Sequence, residues 1–335
     1  MSRSARRSRN RASILRSDGK RARARRALSV FAAALAFLGL GIASRLDAAD
    51  PPVDASAVER GAYLIRAAGC VACHTDKKGG GVPLAGGRAL KTPFGTFYTP
   101  NLTPDPETGI GRWSDDDFVR ALSEGVSPDG AHYYPAFPYT TYARMTRADM
   151  LDLKAYLFAQ APIHQLNKPH DLGFPFSWRF VNWPWQVLFF SSAPFEPDPN
   201  QSSAINRGAY LVNALAHCGE CHTPRNLLGA LDDDDFLSGT TSGPEGEIVP
   251  NITPDKATGI GDWSTKDLVF LFRTGFLPDG NDVQGSMREA IDDGLKHLSQ
   301  ADLEAIAAYL QSVPPIEHRV RKKRPKSSGD AFDYN

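Results

Sequence analysis

This 335-residue sequence predicts an all-α fold built as two tandem domains, each of about three main helices, and three observations carry that prediction. First, motifs recur along the chain. Arg60-Gly61-Ala62-Tyr63-Leu64 returns as Arg207-Gly208-Ala209-Tyr210-Leu211, and Pro100 to Ser114 returns as Pro250 to Ser264, at offsets of 147 and 150 residues. Two copies at so long a period make a domain pair and not a solenoid. Second, three segments in each copy place apolar residues at helical spacing. Third, no stretch alternates as a set of strands would. The 29 glycines and 25 prolines put long turns between the helices and exclude a long-helix bundle or coiled coil.

The first element is a leader. Residues 1–26 carry eleven Lys or Arg against one acid, and Ala27 to Ser44 follows as an uncharged run of 18 residues. That order is the n-region and h-region of a secretory signal, or else a retained N-terminal anchor, since 18 residues is near the lower limit for a span. Both place the chain in the bacterial periplasm, soluble or held at the inner membrane by residues 1–49. A nucleic-acid-binding arm is excluded because a hydrophobic run follows the basic block directly. The remainder has 27 bases against 37 acids, so the net charge of zero conceals an acidic body.

Residues 50–160 form the predicted first domain and residues 201–315 the second. In each, a first helix (Val58 to Gly69, matched by Ala204 to His217) runs into a cysteine motif. A second begins behind Ser114 with Asp117, matched by Ser264 with Asp267, in the pattern of a capping box. A third begins behind Thr146 with Asp149, matched by Ser299 with Asp302. Between the domains, residues 161–200 hold seven prolines and nine Phe or Trp, which forbids a continuous helix. Such a linker either straps across both domains with its rings buried or offers an aromatic patch to a partner or a membrane. Residues 316–335 read as a basic, flexible tail. The Asp115–Asp117 and Asp232–Asp235 runs read as solvated faces or helix starts, and His164 and His170 carry no assignment.

All four cysteines lie in two motifs, Cys70-Val71-Ala72-Cys73-His74 and Cys218-Gly219-Glu220-Cys221-His222. Cys-x-x-Cys-His is the attachment signal of c-type haem. Two thiols one helical turn apart can add across the two vinyl groups of a porphyrin, and the next residue offers an imidazole to the iron. A single Cys₄ zinc site would not use the histidines and would have to serve two domains at once. A thioredoxin-like pair wants a βαβ context, and plain disulfides leave His74 and His222 unexplained. The prediction is therefore two covalent haem c groups, held by Cys70, Cys73, Cys218 and Cys221, with His74 and His222 as iron ligands.

Residues from about 55 to 315 resemble the dihaem c-type cytochromes related to the cytochrome c subunits of membrane-associated bacterial alcohol, gluconate and similar dehydrogenases. The resemblance rests on the two Cys-x-x-Cys-His sites, the two Pro-Asn-(Leu/Ile)-Thr-Pro-Asp-x-x-Thr-Gly-Ile-Gly-x-Trp-Ser runs and Tyr134-Pro135-Ala136-Phe137-Pro138-Tyr139. It implies two cytochrome c-like domains that pass electrons from a dehydrogenase subunit to a respiratory-chain acceptor. Many of those subunits carry three haems, whereas this chain has two motifs. A distal methionine is the common sixth ligand. Met287, in a Gly-Ser-Met segment expected to be a loop, is the candidate for the second haem. The related Pro-Ala-Met-Pro-Tyr motif would place the first one where this chain has Phe137. Met145 is the nearest replacement, with His132 or an open iron as alternatives. Its rival use is packing, as a staple to Met150 across the Thr146 cap. Trp113 and Trp263 are expected against a haem edge or the domain core, and Asn101 and Asn251 are expected to fix their turns or reach a propionate.

The function expected from all this is an exported dihaem electron carrier without catalytic residues of its own. The competing expectation is a haem enzyme, a dihaem peroxidase or a thiosulfate-oxidising cytochrome, with one open iron site; Phe137 in place of Met keeps it in play.

Overall fold

The computed structural model describes residues 54–321; the leader of residues 1–49 and the last part of the tail lie outside the described residues. In the first copy, α1 (Ala55–Ala67) opens on Asp54, whose carboxylate accepts the Ser56 amide, and ends just before α2 (Cys70–Cys73). A short antiparallel hairpin follows, β1 (Ala89–Thr92) paired with β2 (Gly95–Tyr98). Helix α3 (Asp115–Glu124) starts in a complete Ser114/Asp117 capping box and stops at Gly125 with φ of 64°. One turn, α4 (Tyr139–Tyr142), leads to α5 (Arg147–Phe158), capped by Thr146. The linker adds β3 (Asp171–Leu172) to the edge of β2 and then α6 (Asn182–Phe189).

The second copy repeats the helices. Helix α7 (Ser203–Tyr210) runs on through a π turn, Leu211–Leu215, into α8 (Cys218–His222). Helix α9 (Thr265–Thr274) has the matching Ser264/Asp267 capping box and the matching stop at Gly275, φ of 79°. Helix α10 (Gly285–Asp293) has only α4 as its counterpart, and α11 (Gln300–Ser312) is capped by Ser299. The small sheet was not expected. Its strands are four, four and two residues long, too short to leave an alternating pattern.

First and third helices cross closely in both copies because a glycine sits at each crossing. A Cβ at Gly61 would lie 2.0 Å from the Asp152 carbonyl oxygen, and one at Gly208 would lie 1.9 Å from that of Ala305. An arginine one residue before each glycine clamps the same crossing: Arg60 to Asp152 at 2.6 Å, Arg207 to Asp302 at 2.8 Å.

The copies share one core. Leu64, Ile65, Met145 and Met150 from the first and Leu211, Leu215, Leu298 and Leu303 from the second belong to a single cluster of buried apolar side chains. Across this junction the contacts are reciprocal. Tyr63 donates to Asp302 at 2.6 Å and accepts the Ser299 amide at 3.0 Å. Tyr210, the repeat of Tyr63, donates to Asp149 and accepts the Thr146 amide at 3.2 Å. Exchange of this kind, in which i meets j and j meets i, is how a two-fold interface is built, here between two halves of one chain.

The repeated ends reach further than the sequence suggested. Asn101 and Asn251 donate to the carbonyls of Ile163 and Ile316, both at 2.7 Å, and these two residues donate back to Thr103 and Thr253, both at 3.1 Å. The segment from Ile163 to Asn167, expected in the linker, is thus bound to the first copy. Likewise Ile316 to His318, expected in a flexible tail, is bound to the second, where the His318 amide donates to Thr258 at 3.0 Å. Asn and Thr side chains fix both segments by their main-chain groups, which leave no composition signal.

Two matched Cys-x-x-Cys-His sites

Each cysteine pair is carried on a single helical turn that begins after a left-handed residue, Gly69 (φ 66°) in the first copy and His217 (φ 43°) in the second. The left-handed step turns the chain out of the first helix and sets the paired thiols on a turn of their own. A glycine takes this conformation freely and a histidine does not. None of the four cysteines is in a disulfide. Burial pushes the thiols of Cys70, Cys218 and Cys221 up to about 12, and raises that of Cys73, so all four are protonated at neutral pH. Among the described residues no group of three or more His, Cys, Asp or Glu converges as a metal cage.

The histidines are held in one way in both copies. Nδ1 of His74 lies 2.8 Å from the carbonyl of Pro100, and Nδ1 of His222 lies 2.8 Å from that of Pro250. A carbonyl oxygen can only accept, so Nδ1 carries the proton. Burial lowers His74 to about 4, and lowers His222 as well, against the raising effect of those carbonyls. Both rings are therefore neutral at pH 7, with the lone pair on Nε2, the tautomer an iron ligand needs.

The long repeated motif builds that carbonyl. Asn101 Oδ1 accepts the Thr103 amide at 2.9 Å while its Nδ2 reaches Thr108 at 3.2 Å; Asn251 makes the same pair to Thr253 at 2.9 Å and Thr258 at 3.1 Å. Asp105 and Asp255 each accept the amide three residues on at 2.7 Å. These bonds set the turn that directly follows Pro100 or Pro250. Sequence reading placed the asparagines in a turn; that the turn positions the histidine was missed. Its one visible trace is the recurrence of the Pro-Asn pair 26 and 28 residues after His74 and His222.

Distal candidates fall in different places. The amides of Tyr133 and Val283 donate to Gly125 and Gly275 at 2.8 and 2.9 Å, so the copies are in register at an offset of 150 and Met287 matches Phe137. Met287 is partly buried against the core and occupies the first turn of α10, not a loop as expected; Gly285, with φ of 59°, starts the helix. Phe137 packs its ring against Tyr133 and Tyr142, with centroids 5.5 and 5.9 Å away. Met145 is 2% exposed, and the matched caps Thr146 and Ser299 pair it with Leu298. Its amide bonds Tyr142, whose hydroxyl donates to the Ala68 carbonyl at 2.7 Å, two residues before Cys70. His132 instead faces the linker, with Nδ1 2.5 Å from Gln186 Oε1.

Residues 58–159 match the cytochrome c family model. A dihaem c-type cytochrome of Cereibacter sphaeroides is 42% identical over 262 residues, 77% of this chain and 86% of that protein. The chain belongs to the cytochrome c family. It is also 42% identical to the gluconate 2-dehydrogenase cytochrome c subunit of Pantoea cypripedii, and 41% identical to the fructose dehydrogenase cytochrome subunit of Gluconobacter japonicus. Those alignments cover 82% and 78% of this chain but only 64% and 54% of the relatives, which are longer. A cytochrome c domain holds haem c covalently, and the paired free thiols and neutral, carbonyl-tethered histidines of this cytochrome fit that group.

Proposed function

We propose that this cytochrome comprises two haem domains, residues 50–160 and 201–315, and relays electrons between a dehydrogenase and a respiratory-chain acceptor. The observation that carries the reading is the duplicated tether, with His74 and His222 each fixed at 2.8 Å by a proline carbonyl beside a paired-thiol turn. Cys70 and Cys73 would hold one haem and Cys218 and Cys221 the other, with Met145 and Met287 as distal ligands to irons bound by His74 and His222. Bound in this way, haem supplies a one-electron ferric–ferrous couple.

The chain's own part is to hold and to exclude. The Pro100 and Pro250 carbonyls keep the proton on Nδ1, and so keep Nε2 free for iron. Burial keeps both imidazoles neutral and limits the access of water, which together with a thioether ligand favours the reduced state. Relatives named as cytochrome subunits of gluconate and fructose dehydrogenases support a dehydrogenase as donor. The basic block and uncharged run of residues 1–44 support export to the periplasm, with or without retention at the inner membrane. Among the described residues no helix is long and apolar enough to cross a membrane.

Haem-stained denaturing gels test the count. Cys70→Ala/Cys73→Ala and Cys218→Ala/Cys221→Ala are each expected to halve the stain per protein, and the quadruple variant to abolish it. A double variant that loses all the stain would leave one haem. Reduction by a dehydrogenase with its substrate, and not by the substrate alone, separates a carrier from an enzyme. Turnover of peroxide or thiosulfate by the isolated cytochrome would favour the enzyme reading.

A further inference from the structure

The linker helix α6 is inside out. Its polar side chains, Asn182 and Gln186, are 3% and 7% exposed and point into the protein. Asn182 donates to the His132 carbonyl at 3.2 Å, and Gln186 donates to those of Glu124 and Gly125 at 3.3 and 3.2 Å. Its apolar side chains point out: Trp183 is 57% exposed, and Val187 and Leu188 are 65% exposed. A surface helix in contact with water has the opposite order.

The apolar surface extends beyond the helix. Trp178 and Phe180, just before it, are 52% and 67% exposed with their rings 5.6 Å apart. On the other side Trp185 donates to the Leu228 carbonyl at 2.8 Å, which brings up the turn whose tip, Leu227, is 97% exposed. From Gly173 to Pro194 the sequence has one charge, Arg179, and no acid. Contiguous apolar exposure on this scale marks a surface that is covered in use.

We propose that this face rests in the headgroup region of a lipid bilayer, as a peripheral contact that holds the segment bonded to α6, from Glu124 to His132, toward the membrane. The assignment rests on the reading of this chain as an exported, membrane-facing cytochrome. Two observations select lipid over a protein partner. The exposed side chains come from three separate segments, a helix, a turn and a linker, and a fluid interface can surround so irregular a set where a rigid partner would need a matching surface. Trp and Phe, with Arg179 among them, are also the residues of the membrane interface. In addition, Ala27 to Ser44 ends ten residues before α1, and ten residues reach at most about 35 Å. Where that run is retained as an anchor, it would keep the body close to the bilayer.

The test uses the haem-loaded full chain with phosphatidylcholine–phosphatidylglycerol vesicles that carry a photoactivatable lipid, and maps labelled peptides by mass spectrometry. Label is expected on peptides spanning residues 174–189 and 226–229. Trp183→Ser/Leu188→Ser is expected to lower it at least tenfold, with haem spectra and reduction by dithionite unchanged. Phe270→Ser, at a 52% exposed site on α9, is expected to change nothing. Label confined to residues 27–44, or absent, would overturn the proposal. So would protection of these peptides by a purified dehydrogenase without lipid labelling, which would assign the face to a protein. Vesicle labelling does not depend on electron relay, so loss of the carrier reading through the haem count leaves this result separately readable.

Discussion

The two copies agree where the histidine is held and differ where the distal ligand is sought. Around His74 and His222 the bonds repeat almost atom for atom, down to the left-handed Leu84 and Leu237, with φ of 64° and 65°. Each of these leucines donates its amide to the threonine after the histidine, at 3.2 and 3.1 Å. Between Tyr133 and Thr146, and between Val283 and Ser299, the agreement lapses. The second copy puts Met287 where the first has Phe137, and the first puts Met145 where the second has Leu298. A proximal tether needs fixed bonds from two distant segments, so it tolerates little change. The proposed thioether ligand would need only to come within reach of the iron, and the two copies would supply it from different points between their second and third helices.

Exchanging those residues is expected to have the largest effect. Met287→Ala should open the second iron to added imidazole or cyanide and lower its potential, read by optical titration. Met145→Leu copies Leu298 and conserves volume, so as a packing change alone it should cost less than about 1.5 kcal/mol and leave both spectra intact. The proposed ligation predicts instead that one haem loses its thioether bond while the thermal midpoint barely moves. Unchanged spectra for Met145→Leu would end that assignment and leave Met145 as the staple beneath Thr146. Phe137→Met then sharpens the comparison, since it restores to the first copy the residue of the second.

What the sequence made legible was local. The caps at Ser114, Thr146, Ser264 and Ser299 each use a side chain and an amide three residues apart, and such pairs are visible in a string of letters. The cysteine motifs were legible for the same reason. The bond from His74 to Pro100 was not, because its acceptor is a main-chain oxygen that any residue supplies. Nor was the junction, where Tyr63 and Asp302 stand 239 residues apart. Met287 was expected in a loop because Gly285 and Ser286 read as turn residues, yet Gly285 uses its left-handed conformation to start α10. The rings of α6 were left between two uses, since periodicity cannot tell which side of a short helix faces water.

The glycine crossings come next in size. Because Gly61 and Gly208 let a first helix lie on main-chain oxygen of a third, Gly61→Ala and Gly208→Ala each force the helices apart. Overpacking of this kind costs about 1–3 kcal/mol and sometimes more. Both variants should be destabilised by similar amounts in urea titrations. Indifference in one copy would show that its helices can slide, and would break the equivalence at that crossing.

The smallest effect expected is at the reciprocal tyrosines, where it depends on pH. Burial alone would raise the Asp302 carboxyl, but the hydrogen bonds from Arg207 and Tyr63 outweigh it and hold the group below the ordinary carboxylate range. A carboxylate lowered in the folded state stabilises it fully above its unfolded pKa, about 3.9, and loses that contribution as pH falls through the folded value. Tyr63→Phe removes one of the lowering bonds and leaves the bidentate contact to Arg207 at 2.8 Å. The loss at pH 7 should therefore be modest, about 1 kcal/mol for one bond to a charged acceptor whose other partner remains. It should shrink as the pH falls through the lowered folded value, below which Asp302 is protonated in both proteins and the hydroxyl gains little from it. Urea midpoints measured for wild type and Tyr63→Phe across that range would show the two curves converging. A gap that stays constant with pH would mean that Tyr63 holds the junction by packing against the shared core, and that the hydrogen bond to Asp302 adds nothing measurable.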